Sequence, residues 1–305
     1  MQNKLLLLIV VLLSIIYVDI RSTKHTSIFN EQANNIIIKD IENNTTINLD
    51  IEEYLIGVLA GEMPASFNDE ALKAQAVASR TYAYYKIINS TKDYDITNDK
   101  SSQVYLNYEQ MQVKWDNDYD KYLSKIKKAI LDTKGQVLTY NNSVICSYYF
   151  AMSNGYTEDS IYVFGENQDY LKSTISEEDT DNHNFEVIKV ISKEEFCNAL
   201  NINCLNIEIN NVSRTNSNRI DTITINNNNF KGTEIRKLLD LRSTDFYIDF
   251  QDNDIYITTY GYGHGVGMSQ YGANYMANNG SSYEEILKHY YNGTELYDIN
   301  TLNII

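Results

Sequence analysis

Glu62, in the segment GVLAGEMPASF, is the side chain whose placement most suggests chemistry. Ile51, Leu55 and Val58 recur at helical spacing, and the next position of that stripe is Glu62. A carboxylate therefore falls where an apolar residue is expected. Pro64 stops the helix, which puts Glu62 in the last turn, at the negative end of the helix macrodipole. Desolvation and the dipole both disfavour the charged form and raise the pKa of the acid. An acid held protonated near neutral pH is what general-acid catalysis requires. The same periodicity also fits a helix-end glutamate that turns into solvent, or one tied to Lys73 or Arg80.

A second concentration of unusual residues is YGYGHGVGMSQYGA, where Gly261, Gly263, Gly265 and Gly267 alternate. Such glycines permit positive φ and a close approach of backbone to something bulky. No window fits G-x-G-x-x-G, because the third glycine would fall on Val266, Met268 or Gln270, so a dinucleotide site has no support. His264 is one of four histidines and stands alone in this setting. Taken singly, it reads more readily as a satisfied structural group than as a catalytic one.

These residues need elements to hold them. Asp50 with Glu53 three positions on marks a capped helix start, and the helix ends before Pro64. A second helix is expected from about Asp69 to Lys86, with Ala74, Ala78, Tyr82 and Tyr85 as its buried stripe. Strands are expected at Gln136–Tyr140, Val144–Phe150, Ile207–Val212, Ile220–Asn226, Phe246–Phe250 and Ile255–Tyr260. Helices are expected at Glu194–Leu200, Thr233–Leu239 and Ser282–Tyr291. Strands interrupted by helices without regular βαβ alternation predict an α+β fold of mixed helices and antiparallel strands.

The 305 residues suffice for one large domain with an N-terminal appendage. A formal charge of −16 argues against nucleic acid as partner and against adsorption to anionic lipid, and leaves a neutral glycan easy to accommodate. Cys146, Cys197 and Cys204 form no CxxC pair and have no histidine cluster beside them. Cys197 and Cys204 could pair, but three buried or idle thiols is the expectation. Leu5 to Ile20 is an apolar run without a nearby small-residue cleavage site, which favours a retained membrane anchor over a cleaved signal. The expected organisation is an anchor over residues 1–20, a polar stalk over 21–48 and a catalytic domain over 49–305.

Together these segments resemble the SpoIID/LytB family. The first signature is EEYLIGVLAGEMPASFNDEALKAQAVASRTYA, Glu52 to Ala83; the second is GQVLTYNNSVICSYYFAMSNGYTEDS; the third is GYGHGVGMSQYGA followed by ILKHYYNGTEL. IRKLLDLRSTDF also matches in character, and the likeness spans roughly Leu49 to Leu296. The resemblance implies a lytic transglycosylase that acts on peptidoglycan during engulfment of the forespore. Its catalytic glutamate falls on Glu62. The implied glycan groove would use Gln103, Tyr105, Ser153, Gly155, Tyr262, His264, Gln270 and Tyr271. Peptide-stripped glycan strands would be the substrate, with the amidase SpoIIP and the membrane protein SpoIIM as partners, at the cell membrane and with the catalytic domain outside the cytoplasm.

Two departures from the family pattern matter. Some members carry zinc ligands in a Cys-x4-His-Cys-Gln-Val-Tyr segment, where this chain has ITNDKSSQVY with Ile96, Ser101 and Ser102 at the ligand positions. No zinc and no other cofactor is expected. Many members have His-Ser-Thr-Ser-Gly-Gly where this chain has FAMSNG, so Phe150 replaces the histidine. Two rivals to the transglycosylase remain: a hydrolase using Glu158 or Asp159 as a second acid, and a non-enzymatic module that enhances a partner amidase.

Overall fold

The computed structural model describes residues 35–176 and 184–301. Strands β1 (Asn35–Asp40) and β2 (Thr45–Asp50) form an antiparallel hairpin. Ile36 and Ile38 of β1 are fully buried in the same core as Ile51, Tyr54 and Val58. The stretch expected as a stalk over 21–48 is therefore corrected: its end is a hairpin built into the folded body. The anchor expected at Leu5 to Ile20 lies outside the described residues. Among those described, no helix is long and apolar enough to cross a membrane.

Asp50 closes β2 and caps α1 (Ile51–Glu62), its Oδ1 accepting from the N–H groups of Glu52 and Glu53. The helix stops at Met63, whose extended backbone suits a residue preceding proline. Tyr54 through Ala60 are buried without a break. The helix is thus a core helix enclosed on all sides, and the single stripe inferred from Ile51, Leu55 and Val58 understates its burial. Helix α2 (Asp69–Asn89) follows, capped by the Asn68 side chain, and lies against α1 through the middle of the molecule.

β3 (Ile96–Thr97) adds to β1 in parallel. The chain then crosses α1, and two glycines make room for it. A Cβ on Gly57 would come within 2.2 Å of the Tyr105 ring, and one on Gly61 within 2.5 Å of the Val104 carbonyl. Two helices without an expectation behind them come next, α3 (Tyr108–Trp115) and α4 (Tyr119–Asp132); Met111, Trp115, Ile126 and Ile130 pack them on Leu55 and Leu59. The expected strand β4 (Gln136–Tyr140) pairs with β5 (Ser143–Val144). The run expected as one strand to Phe150 is broken: β6 is only Tyr149–Phe150. A short α5 (Ser160–Phe164) follows.

The next stretch is a β-rich unit with its own core of Phe196, Ile223, Ile235, Phe246 and Ile257. It contains β7 (Glu186–Ser192), α6 (Lys193–Leu200), β8 (Ile209–Arg214), β9 (Ile220–Ile225), β10 (Asn228–Lys231), α7 (Gly232–Leu238), β11 (Phe246–Gln251) and β12 (Asp254–Tyr260). Two antiparallel sheets result, in orders β11-β12-β7 and β10-β9-β8. Cys197 and Cys204 form a disulfide here, which corrects the expectation of idle thiols; Cys146 is a buried free thiol. Finally β13 (Met268–Ser269) pairs in parallel with β6. Helices α8 (Gln270–Asn278) and α9 (Tyr283–Tyr290, capped by Ser282 with Glu285) return to α2, and β14 (Glu295–Asp298) completes the β4 sheet. The architecture is α+β, as expected.

Candidate active site

The end of α1, the 100–104 loop, β6 with its flanks and the glycine-rich loop enclose a cleft of about 450 Å³. Glu62 lines it, and it is the sole carboxylate among the lining residues. Its Oε1 accepts from the Val104 N–H at 2.6 Å, a contact that the missing Cβ at Gly61 makes possible. Burial pushes the Glu62 carboxyl up to about 7, against the Val104 hydrogen bond and the charge of Lys114, which pull it down. Lys114 itself donates to the Ala60 carbonyl at 2.7 Å. Neither cation considered from the sequence reaches Glu62: Arg80 forms a two-pronged bridge to Glu52, and Lys73 pairs with Glu70 and Asp132.

Under the cleft runs a chain of buried polar groups. The Tyr54 hydroxyl donates to Gln103 Oε1 at 3.1 Å, and Gln103 Nε2 donates to the Tyr149 hydroxyl at 2.9 Å and to the Ser79 carbonyl at 3.3 Å. Gln75 Nε2 donates to Ser79 Oγ at 2.9 Å, and Gln270 Nε2 to Gln75 Oε1 at 3.3 Å. The chain ties α1, α2, β6 and α8 into one floor. Burial, and next the Glu62 carboxylate, hold the Tyr54 and Tyr149 phenols well above their ordinary range, so both stay protonated.

The glycine-rich loop forms the facing wall. Gly263 has φ +119° and lies against Phe150, where a Cβ would approach to 2.7 Å; Gly267 has φ +78° and lies 2.0 Å, by the same measure, from the Tyr148 carbonyl. This close passage brings Tyr262, Gly263 and His264 to the cleft. His264 packs against Tyr148, Phe150 and Phe164, and its Nδ1 accepts from the Val266 N–H at 3.0 Å. Burial, reinforced by the charges of Arg236 and Arg219, pushes it down to about 3, so it is a neutral, structural imidazole at physiological pH. Phe150, at the position expected to hold a histidine in many members of the family, lines the cleft.

Of the residues expected in the groove, Glu62, Gln103, Tyr262, His264 and Gln270 line the cleft, and Tyr105, Ser153, Gly155 and Tyr271 do not. Tyr105 stacks on Tyr54 at 5.7 Å over Gly57. The Ser153 hydroxyl is fully buried, donating to the Ser176 carbonyl and accepting from the Gly155 N–H. Gly155 takes φ +107° in that turn, and Tyr271 meets Phe67 edge-on at 5.0 Å. Arg236, Tyr82, Tyr148 and Lys100 line the cleft without having been expected there. A signal existed for the floor alone: Gln75 and Ser79 are polar, one helical turn apart, inside the buried run of α2.

At the positions where some relatives ligate zinc, Ile96 is buried in β3 and the hydroxyls bond within their own loop. Thr97 Oγ1 meets Ser102 Oγ at 2.9 Å and Asp99 Oδ1 at 2.8 Å, and Ser101 Oγ donates to Asp99 Oδ1 at 2.6 Å. An isoleucine and two serines do not supply the thiolate and imidazole donors of a structural zinc site. Hydrogen bonds shape this edge of the cleft instead.

The family model for the stage II sporulation protein SpoIID matches residues 40–140, the span holding Glu62, Gln103 and Val104. The chain is 38% identical to "Stage II sporulation protein D" of Bacillus amyloliquefaciens, over 85% of this chain and 77% of that protein. It is 37% identical to the protein of the same name from Bacillus subtilis (strain 168), over 83% and 76%. The "Amidase enhancer" of the same Bacillus subtilis strain is 30% identical over 79% of this chain, but over 40% of its own length. With identity at this level sustained across most of both sporulation proteins, the chain belongs to the stage II sporulation protein D family.

Proposed function

We propose that the chain is a peptidoglycan lytic transglycosylase, with Glu62 as its single acid/base. One observation carries this reading: a solitary, partly buried carboxyl with a pKa of about 7 in a cleft that offers no second carboxylate. Protonated Glu62 would donate to the oxygen joining N-acetylmuramic acid to N-acetylglucosamine as the C1–O bond breaks. The resulting carboxylate would then accept the proton of the muramoyl C6 hydroxyl as that oxygen bonds to C1. A 1,6-anhydro end forms, no water is consumed, and Glu62 returns protonated.

A hydrolase of the two-carboxylate kind needs a second acid across the bond. Glu158 accepts from Thr215, Ser217 and the Asp159 N–H, and Asp159 accepts from the Ser173 N–H; neither lines the cleft. The amidase enhancer among the relatives supports a second reading, a glycan-binding helper of an amidase. In the first reading, the chain works beside an amidase such as SpoIIP, with SpoIIM, on the outer face of a membrane that holds Leu5 to Ile20. Mass spectrometry of glycan strands incubated with the protein separates the possibilities. Anhydro ends support the transglycosylase, reducing ends the hydrolase, and uncut strands the helper.

A further inference from the structure

The charge inside the cleft runs against that of the chain. The sequence carries a formal charge of −16, yet the lining sets one carboxylate, Glu62, against Arg236 and Lys100. Arg236 belongs to the last turn of α7 and shares its wall with Tyr262, Gly263 and His264. Its Nε donates to the Leu241 carbonyl at 3.3 Å, which fixes the guanidinium plane. Among the described residues its two terminal nitrogens meet no acceptor, and no carboxylate forms an ion pair with it, although Asp240 lies near enough to be felt. Arg242 reinforces the wall, its guanidinium carbon 4.3 Å from the centre of the Tyr262 ring and its carbonyl accepting from the Gly263 N–H. A half-buried guanidinium with free donors, set beside an exposed tyrosine in a cleft, is a site for a planar anion.

Resting on the glycan-cleaving reading of this cleft, we propose that Arg236 binds a carboxylate of the strand: the lactyl carboxylate of an N-acetylmuramic acid that has lost its stem peptide. While the peptide is attached, the lactyl carbonyl is part of a neutral amide. Its removal by an amidase exposes one negative charge on each muramic acid, matched to the two free N–H faces of the guanidinium. Lys100, an exposed point charge on the loop at the other side of the cleft, adds attraction that salt screens. Arg236 is then the group that distinguishes stripped from peptide-bearing glycan.

The test is calorimetric binding to the Glu62→Gln protein, in which strands stay intact. Three probes of equal length are compared: a peptide-free glycan oligomer with free lactyl carboxylates, the same oligomer with those carboxyls converted to primary amides, and an oligomer of N-acetylglucosamine alone. The acid form should bind about 10-fold more tightly than the amide form, as expected for a hydrogen bond to a charged group. Arg236→Gln should bring that ratio close to one, and Arg236→Lys should keep part of it. Equal affinity for acid and amide forms in the parent overturns the proposal. So does an Arg236→Gln protein that loses affinity for all three probes alike, because that is the mark of a structural role through Leu241. The ratio is read without turnover, so it can fail while anhydro products are still made, and the reverse also holds.

Discussion

Glu62 and Glu158 are both withdrawn from water, and their surroundings differ in every respect that matters for chemistry. Glu158, beside the glycine-rich loop, accepts from two hydroxyls and one N–H, and its backbone N–H bonds the Gly265 carbonyl at 2.7 Å. The buried Arg219 guanidinium lies within its electrostatic reach. Glu62 has one donor, the Val104 N–H, at the C-terminal end of a helix, and one side open to the cleft. A carboxylate saturated with donors is a structural anchor. A carboxyl given one donor and little water is poised to exchange a proton.

The sharpest way to break this contrast is to remove each acid in turn. Glu62→Gln should retain the fold and lower glycan cleavage by about 10²–10⁴-fold or more, since loss of one acid/base group typically costs that much and Glu62 would act twice in the proposed mechanism. Release of anhydro-ended products, followed chromatographically, checks it; activity within a few-fold of the parent ends the assignment. Glu158→Gln should do the opposite. It replaces a charged acceptor by a neutral one for three donors and should cost about 1–3 kcal/mol of stability in denaturant titration. Cleavage per folded molecule should be preserved at a permissive temperature.

A third test sharpens the account of the Glu62 proton. As a general acid, Glu62 should give a cleavage profile whose alkaline limb falls through its folded-state pKa of about 7. The folded value lies above the ordinary 4.5, so the linked stability is complete below about 4.5 and is lost as pH rises through 7. Relative to the parent, Glu62→Gln should therefore gain stability between pH 5 and pH 8, by at most about 3 kcal/mol at one pKa unit per 1.4 kcal/mol. A profile still rising above pH 8 would falsify the poised acid.

Smaller effects follow from the two groups that pull the Glu62 pKa down. Gly61→Ala should push the Val104 carbonyl away and weaken the hydrogen bond to Glu62, moving the alkaline limb up by about one unit. Lys114→Met should move it up by about half a unit or less, because the ammonium acts through space and is bonded to Ala60. Arg80→Met should leave the limb in place, since Arg80 is spent on Glu52. An Arg80 shift larger than the Lys114 shift would mean that the two cations have been assigned to the wrong carboxylates.

Local grammar made much of this molecule readable from the sequence. Asp50 and Pro64 bracket α1, Ser282 and Glu285 open α9, and alternating apolar residues mark β11 and β12, because caps and periodicity act over a few residues. Glu62 stood out for the same reason, as a carboxyl at the end of an apolar helix. What tertiary structure decided are relations between distant segments. Glycines at 57 and 61 become informative only when the 104–106 segment lies over them, and the Val104 N–H carries no side-chain signal at all. Ser153 and Tyr105 have residue types suited to binding sugar, yet packing assigns them to a buried turn and to a stack on Tyr54. Lys114 and Arg236 lie on elements far from Glu62 in sequence, and folding alone brings the charge of the first within reach of Glu62 and the second into the lining of its cleft. The sequence determined which group can hold a proton; the fold determined how tightly, because burial, a single donor and the balance of nearby charge are set by neighbours that only three dimensions bring together.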